Sequence, residues 1–125
     1  MLDLAAEIDG LLKEVTPEAY QGTNQAKEVV YPYITYSVNT EGPNGNQEEF
    51  YIDIQFFDYG TSYARILGLQ EELKGKLHKR RIMAPGSYTQ YWVGQGIEVP
   101  TTNERIKRRD TTVRGKIDWR NKEWQ

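Results

Sequence analysis

The 125-residue sequence contains no cysteine and only one histidine, His78. Without cysteine the chain forms no disulfide and no thiolate site, and one histidine cannot supply the ligand cluster of the usual zinc sites. His78 lies among lysines and arginines, with no acidic residue nearby in sequence to orient it as a catalytic base. We therefore expect no catalytic residue, no metal and no cofactor, and we predict that the protein is not an enzyme.

Long apolar runs are also missing. No segment approaches the roughly 20 consecutive apolar residues that a membrane-spanning helix needs. The N-terminus, Met1–Leu4, carries an acidic residue where a secretory signal peptide carries basic ones. These features predict a soluble, intracellular chain with no membrane partner.

The charges are unevenly distributed along the chain, although the net charge is only −2. Residues 1–60 hold eleven acidic and two basic residues, whereas residues 61–125 hold seven acidic and fourteen basic ones. Two separate sides of opposite charge would suit head-to-tail self-association. Alternatively, the two halves interleave as neighbouring strands and the charges mix, which is the interpretation we favour slightly from the sequence.

Hydrophobic periodicity predicts two helices and four strands. Apolar residues at helical spacing predict helices over residues 2–15 and 62–79. Alternating apolar and polar residues predict strands over 31–38, 48–57, 88–93 and 111–120. The order helix, strand, strand, helix, strand, strand predicts an α+β fold with a mostly antiparallel four-stranded sheet and helices packed on one face. The connection through the second helix could place the second and third strands parallel.

The length and the 38% hydrophobic content fit a single domain over residues 1–125, with the sheet and its helix in a core over 30–120. Two polar connections, residues 39–47 and 94–109, are the long loops. Loops of this length in small domains are usually functional or disordered. Asp53, on the polar face of its strand, is expected to form a cross-strand ion pair with Arg114 or Lys116.

Aromatic residues are numerous, with nine tyrosines and three tryptophans. Tyr31, Tyr33 and Tyr51 are predicted on the strand faces opposite the apolar stripes. Tyrosine and tryptophan are enriched in protein–protein interfaces because they bury a large area at low entropic cost. These tyrosines therefore either contact a partner or cover the open face of the sheet.

Nucleic-acid binding is an alternative that the basic runs at 74–81 and 105–109 suggest, since Tyr88, Tyr91 and Trp92 could stack on bases. The pI near 5.5, the absence of the basic-aromatic RNP1 pattern and the absence of a helix-turn-helix pair weigh against it. A specific nucleic-acid ligand is therefore not our expectation.

Three segments in order resemble a known family. They are Pro32-Tyr33-Ile34-Thr35-Tyr36, the strand 49–57 followed by the Ala64 to Leu73 helix, and Arg109-Asp110-Thr111-Thr112-Val113-Arg114 leading into the strand that ends at Trp119. This pattern, over residues 30–120, is similar to the small tail-terminator, or tail-completion, proteins of long-tailed phages and prophages.

The resemblance implies a non-enzymatic assembly protein that forms a ring, typically of six copies. Such a ring caps the major tail tube protein, stops tail growth and offers a surface to the head-completion or connector protein. The implied location is the head-proximal end of the virion tail, after assembly in the host cytoplasm. A neck or head-completion protein of similar size is the alternative within this class. Residues that we predict to meet partners are Tyr31, Tyr33, Tyr51, Arg105, Lys107, Arg108, Arg109, Arg114, Lys116 and Arg120.

Overall fold

A computed structural model of the chain describes residues 2–41 and 47–119, with side chains from residue 5 onward. The elements in chain order are α1 (Leu2–Val15), β1 (Ala19–Gln21), β2 (Tyr33–Thr40), β3 (Gln47–Tyr59), α2 (Ala64–Leu77), β4 (Arg81–Ala84), β5 (Ser87–Val93), β6 (Ile97–Glu98) and β7 (Ile106–Trp119). Neither described helix is long and apolar enough to cross a membrane.

The described strands form one mixed sheet in the order β1-β2-β3-β7-β5-β4, with β6 also paired to β7. β1 runs parallel to β2, and every other pairing is antiparallel. The predicted four-stranded, mostly antiparallel sheet was therefore wrong, because seven strands pair in the described residues. β3 and β5 run in the same direction, but β7 lies between them.

The additional strands are β1, β4 and β6, which have three, four and two residues. Segments this short cannot show the alternation of apolar and polar residues that identifies a strand. They are extended because each forms backbone hydrogen bonds with a longer neighbouring strand. β7 also begins at Ile106, so the segment 94–109, predicted as a loop, contains β6 and the first residues of β7. The predicted loop 39–47 lies partly outside the described residues.

The core lies between the two helices and one face of the sheet, which we call the inner face. In β3 the alternation predicted from the sequence places Phe50, Ile52, Ile54 and Phe56 on this face, each at most 1% exposed. The apolar stripes of α1 and α2 join the same buried cluster, which also contains Val113 and Ile117 of β7. The opposite face, here called the outer face, carries Tyr51 and the other odd-numbered residues of β3.

Two buried tyrosines of the sheet hold α1 in place. The Tyr36 hydroxyl donates a 2.6 Å hydrogen bond to Asp9 Oδ1, and the Tyr91 hydroxyl donates to Glu7 Oε1. Burial, with the neighbouring carboxylate, raises the pKa of both phenols well above the usual value, so they remain protonated donors. The two hydrogen bonds therefore fix the first helix to β2 and to β5.

Lys79, directly after the end of α2, has a backbone φ of 65°. This left-handed conformation disfavours residues with a Cβ, and helices commonly place glycine there. We expect Lys79→Gly to raise the free energy of unfolding by about 0.5–1 kcal/mol, measured by urea titration. As the matched control, Lys76→Gly inside α2 should lower it by about 1 kcal/mol, and a Lys79→Gly protein less stable than wild type would contradict this explanation.

Candidate partner interface

The outer face of the sheet brings together most of the residues predicted to meet partners. The register of β3 with β7 places Tyr51 directly beside Arg114, and Phe57 directly beside Arg108. Tyr33 pairs with Phe57, and Lys116 pairs with Glu49 on one side and Gln90 on the other. These side chains are half-buried or exposed, in contrast to the inner face. The outer face is therefore a broad polar and aromatic surface with two distinct ends.

A tyrosine cluster occupies the end where β3 finishes and β7 begins. The rings of Tyr33 and Phe57 stack at 5.0 Å between centroids, and Tyr31 lies 5.5 Å from Tyr33 and 5.8 Å from Tyr59. Tyr20 of β1 completes the cluster through an edge contact with Tyr33 at 6.2 Å. Burial raises the pKa of the Tyr33 phenol above its usual value. Tyr59 remains 49% exposed.

Arg108 borders this cluster and is partly engaged within the chain. Its guanidinium lies 5.6 Å from the Phe57 ring centroid and donates two hydrogen bonds, of 2.8 and 2.9 Å, to the Asp110 carboxylate. The Asp110 hydrogen bonds raise the pKa of Arg108 further above its already high value. The side chain is still one-third exposed, so one face of this cation is available to solvent.

The opposite end of the outer face is built around Arg114. This guanidinium lies 4.9 Å from the Trp92 ring centroid, and its Nε donates to Glu49 Oε1 at 3.2 Å. Tyr51 is adjacent, and its pKa is raised chiefly by the charge of Glu41 and then by a hydrogen bond to it. The predicted ion pair of Asp53 with Arg114 or Lys116 was wrong, because the Asp53 carboxylate accepts from Asn39 Nδ2 at 2.9 Å and from Thr112 Oγ1 at 3.2 Å.

Arg109 points to the inner side and bridges three segments. Its Nε donates to Gln70 Oε1 of α2 at 2.8 Å, and its Nη2 donates to the Gly96 carbonyl at 3.1 Å. Nη1 lies 3.4 Å from Glu98 Oε1, and the side chain is only 14% exposed. Arg109 thus fixes the β5–β6 connection to α2.

Two further predicted cations, Lys107 and Arg105, lie at the end of the sheet where β7 begins. Lys107 donates to the Glu104 carbonyl at 2.6 Å and lies 5.6 Å from the Tyr63 ring centroid. Arg105 is exposed in the turn before β7, where its backbone carbonyl accepts from Gly60 N. Arg120 lies outside the described residues. The ten residues therefore do not form one patch, since some belong to the outer face and others surround the turn.

The acidic and basic halves of the sequence form separate blocks of strands, and their charged residues meet where the blocks join. Strands β1, β2 and β3 are contiguous and come from the acidic half of the sequence, while β7, β5 and β4 are contiguous and come from the basic half. Residues 61–119 hold six acidic and twelve basic residues. The halves do not alternate strand by strand, but the charges do mix, because the acidic strand β3 pairs directly with the basic strand β7 and Glu49 accepts from Arg114.

No group of three or more histidine, cysteine, aspartate or glutamate side chains that could hold a metal occurs in the described part of the chain. His78 is exposed directly after α2 and accepts a 3.0 Å hydrogen bond from Val93 N at its Nδ1, which closes the end of β5. A depression beside it, lined by polar residues such as Gln70, Lys74 and Arg109, is open to solvent.

Several members of these clusters were not singled out from the sequence, namely Tyr20, Phe57 and Tyr59, and Trp92 was considered only for stacking on bases. The alternation of β3 could have identified Phe57 and Tyr59. Both lie an even number of residues from Tyr51 and Gln55, so a strand that places those two on the outer face places Phe57 and Tyr59 there as well. No comparable signal existed for Tyr20, since β1 could not be recognised as a strand.

No protein-family model matches the chain, and no curated protein matches it. Among solved structures, the fold is similar to that of a chain in the virion of a native gene transfer agent particle. The TM-score is 0.65, the match covers 86% of this chain and 84% of that chain, and the sequences are 11% identical. The two chains therefore share a fold over nearly their whole lengths.

Proposed function

We propose that this chain is a structural protein of a virion and, within that class, the terminator that caps a phage tail tube. The observation that carries the proposal is the fold shared with a virion chain over more than four-fifths of both proteins. The ordered resemblance of residues 30–120 to tail-terminator proteins supports the more specific role.

The geometry is consistent with assembly by surface contact. One face of the sheet is taken up by the helices, and the other displays tyrosines and arginines, which are enriched at protein–protein interfaces. A heterologous contact between copies closes into a ring when the rotation between copies permits. The proposed partners are further copies of this chain, the major tail tube protein and a head-completion protein.

Deleting the gene from the genome that encodes it tests the proposal by negative-stain electron microscopy of the resulting particles. A terminator is expected to be required for stopping growth, so tails should be much longer than normal and unattached to heads. A neck or head-completion role would instead give tails of normal length beside tailless heads. Particles indistinguishable from wild type would contradict both roles.

Complementation with variants then tests the predicted interface residues. Arg105→Glu should leave the fold intact, because this side chain is exposed, and should fail to restore normal tails. Reversing Arg109 would be a poor test, since its guanidinium holds α2 to the β5–β6 connection. The matched control is Glu72→Lys with Lys74→Glu, two exposed positions on α2, which should restore normal tails.

A further inference from the structure

The sheet ends at β4, which pairs with β5 and with no other strand in residues 2–41 and 47–119. In an antiparallel pair, residues that bond to the neighbouring strand alternate with residues whose N–H and C=O groups point away from it. The hydrogen bond of 3.0 Å from Tyr91 N to Arg80 O sets this alternation at the start of β4. Ile82 therefore bonds to β5, whereas the backbone groups of Arg81 and Met83 point away from the sheet. We call these outward-facing backbone groups the free edge.

The free edge is neither bonded nor covered by the rest of the described chain. Neither Arg81 nor Met83 forms a backbone hydrogen bond to a described segment outside the sheet. Both side chains are exposed, and Met83 is 67% exposed, the largest exposure among the large apolar residues described. A row of unpaired N–H and C=O groups is a template for a further strand. An extended polypeptide is therefore the class of molecule that this edge is built to bind.

The segment around the free edge carries only positive charge. Residues 73–97 contain no aspartate or glutamate, and their cations are Lys74, Lys76, Lys79, Arg80 and Arg81. Arg80 is paired with Glu14, but in the described residues the side chains of Lys79 and Arg81 take part in no ion pair. On the outer face, Asp118 lies two strands away from β4, because Tyr88 stands between it and Met83. The charge at this edge therefore favours an acidic partner.

A pocket of about 230 Å³ lies beside the free edge and is lined by Lys79, Arg81, Gln90, Tyr91 and Trp92. Arg81 and Gln90 are paired in the strand register, so the pocket opens next to β4 on the outer face. None of these lining residues is acidic. We call this depression the basic pocket. Its two unpaired cations are the groups that bind a carboxylate.

We propose that the free edge binds an extended acidic segment of a partner polypeptide as an additional strand, with one aspartate or glutamate side chain in the basic pocket. In such a strand, the residues opposite Arg81 and Met83 are two positions apart and point to the outer face. The first supplies the carboxylate, and the second is apolar and packs on Met83. This contact is additional to the proposed function, which assigns no partner to β4.

A second copy of the chain does not offer the strand that this chemistry requires. The other end of the sheet is β1, and its three residues, Ala19–Gln21, include no acidic side chain. The partner is therefore expected to be a different polypeptide.

NMR titration of the isotope-labelled full chain with a short synthetic peptide tests the contact. The peptide carries glutamate and valine two positions apart, and its control carries lysine in place of glutamate. At about 150 mM salt, which screens distant charges, only the glutamate peptide should shift the amide signals of β4 and the indole signal of Trp92. Hydrogen exchange at the Arg81 and Met83 amides should be fast in the free protein and slow in the complex. The Ile82 amide, already bonded to β5, is the internal reference.

Three variants separate the charge from the backbone contribution. Arg81→Glu should weaken peptide binding about tenfold or more, because it reverses a charge of the basic pocket. Met83→Pro removes an outward N–H group and no bond to β5, so it should fold and bind weakly, whereas Met83→Ala keeps the N–H group and should bind more tightly than Met83→Pro. Lys74→Glu reverses an exposed cation outside the basic pocket and is the matched control, with unchanged affinity. Urea titration checks that each variant is folded.

Signals of wild type that do not shift at about millimolar peptide would overturn the inference. Shifts without slower exchange at Arg81 and Met83 would also overturn it, because they would show attraction of charge without an added strand. Binding of a single-stranded DNA oligonucleotide in place of the peptide, lost in Arg81→Glu, would assign the basic pocket to nucleic acid instead. Self-association in sedimentation velocity that Met83→Pro abolishes would make a second copy the occupant. The gene deletion tests the tail role separately from all of these outcomes.

Discussion

Gly115→Ala is expected to lower the free energy of unfolding by about 3 kcal/mol, the upper end of the usual cost of overpacking a core. Gly115 lies on the inner face of β7, between Phe50 of β3 and Tyr91 of β5 in the sheet register. The Phe50 ring covers this position, and a Cβ built on Gly115 would be only 2.0 Å from Phe50 Cζ. Phe50 and Tyr91 meet edge to face over it, at 5.8 Å between centroids. Urea titration would measure the loss.

A smaller side chain at position 50 should relieve the overlap with the methyl group of Gly115→Ala. In a Phe50→Leu background, Gly115→Ala should cost less than about 1 kcal/mol, because the methyl group then occupies space that the ring has left. Gly68→Ala in α2 is the matched control, since nothing lies within 4 Å of its Cβ position, and it should be neutral or stabilising. An equal cost of Gly115→Ala in both backgrounds would show that the ring is not the cause.

Arg65→Met is expected to cost about 2–3 kcal/mol of unfolding free energy, because it leaves a buried carboxylate without its cation. Asp58 lies on the inner face near the end of β3, and its side chain is 4% exposed. Arg65 of α2 donates hydrogen bonds to both carboxylate oxygens, at 3.0 and 2.5 Å. Tyr59 N also donates to Asp58 Oδ1 at 2.8 Å, and Arg65 itself is 58% exposed. These two features keep the expected loss below that of a fully buried pair.

Neutralising the carboxylate should remove most of this penalty. Asp58→Asn keeps the shape of the side chain, and in that background Arg65→Met should cost less than about 1 kcal/mol, as measured by a double-mutant cycle. Arg105→Met is the control for removing an exposed guanidinium and should be close to neutral. A large cost of Arg65→Met in the Asp58→Asn background would mean that Arg65 acts through packing and not through its charge.

The long strands and both helices could be predicted from the sequence because their periodicity is local. β3 and β7 alternate over many residues, and the buried residues of β3 are those that the alternation selects. The short strands could not be predicted, since β1, β4 and β6 owe their extended conformation to neighbours distant in sequence. Strand order was equally out of reach: nothing local indicates that β7 inserts between β3 and β5.

For the candidate interface, the sequence predicted which face of the sheet a residue occupies, but not which distant residue it contacts. Strand parity placed Tyr33, Tyr51 and Arg114 on the face away from the helices, as observed. The partner of Arg109 was not predictable, because Gln70 lies 39 residues earlier and approaches only when α2 packs on the sheet. The mixing of charge also depended on strand order, because it follows from the pairing of the acidic β3 with the basic β7, which composition by halves could not indicate.

The attachment of α1 has a consequence for how the chain acquires its structure during synthesis. Glu7 leaves the ribosome 84 residues before Tyr91, the phenol that anchors it, and the β5 strand that carries Tyr91 pairs in turn with β7 at the end of the described chain. The helix that is synthesised first therefore cannot be anchored at Glu7 until β5 and β7, which are synthesised late, have paired. Contacts so distant in sequence slow folding, and we expect this domain to consolidate only after almost all of it has emerged.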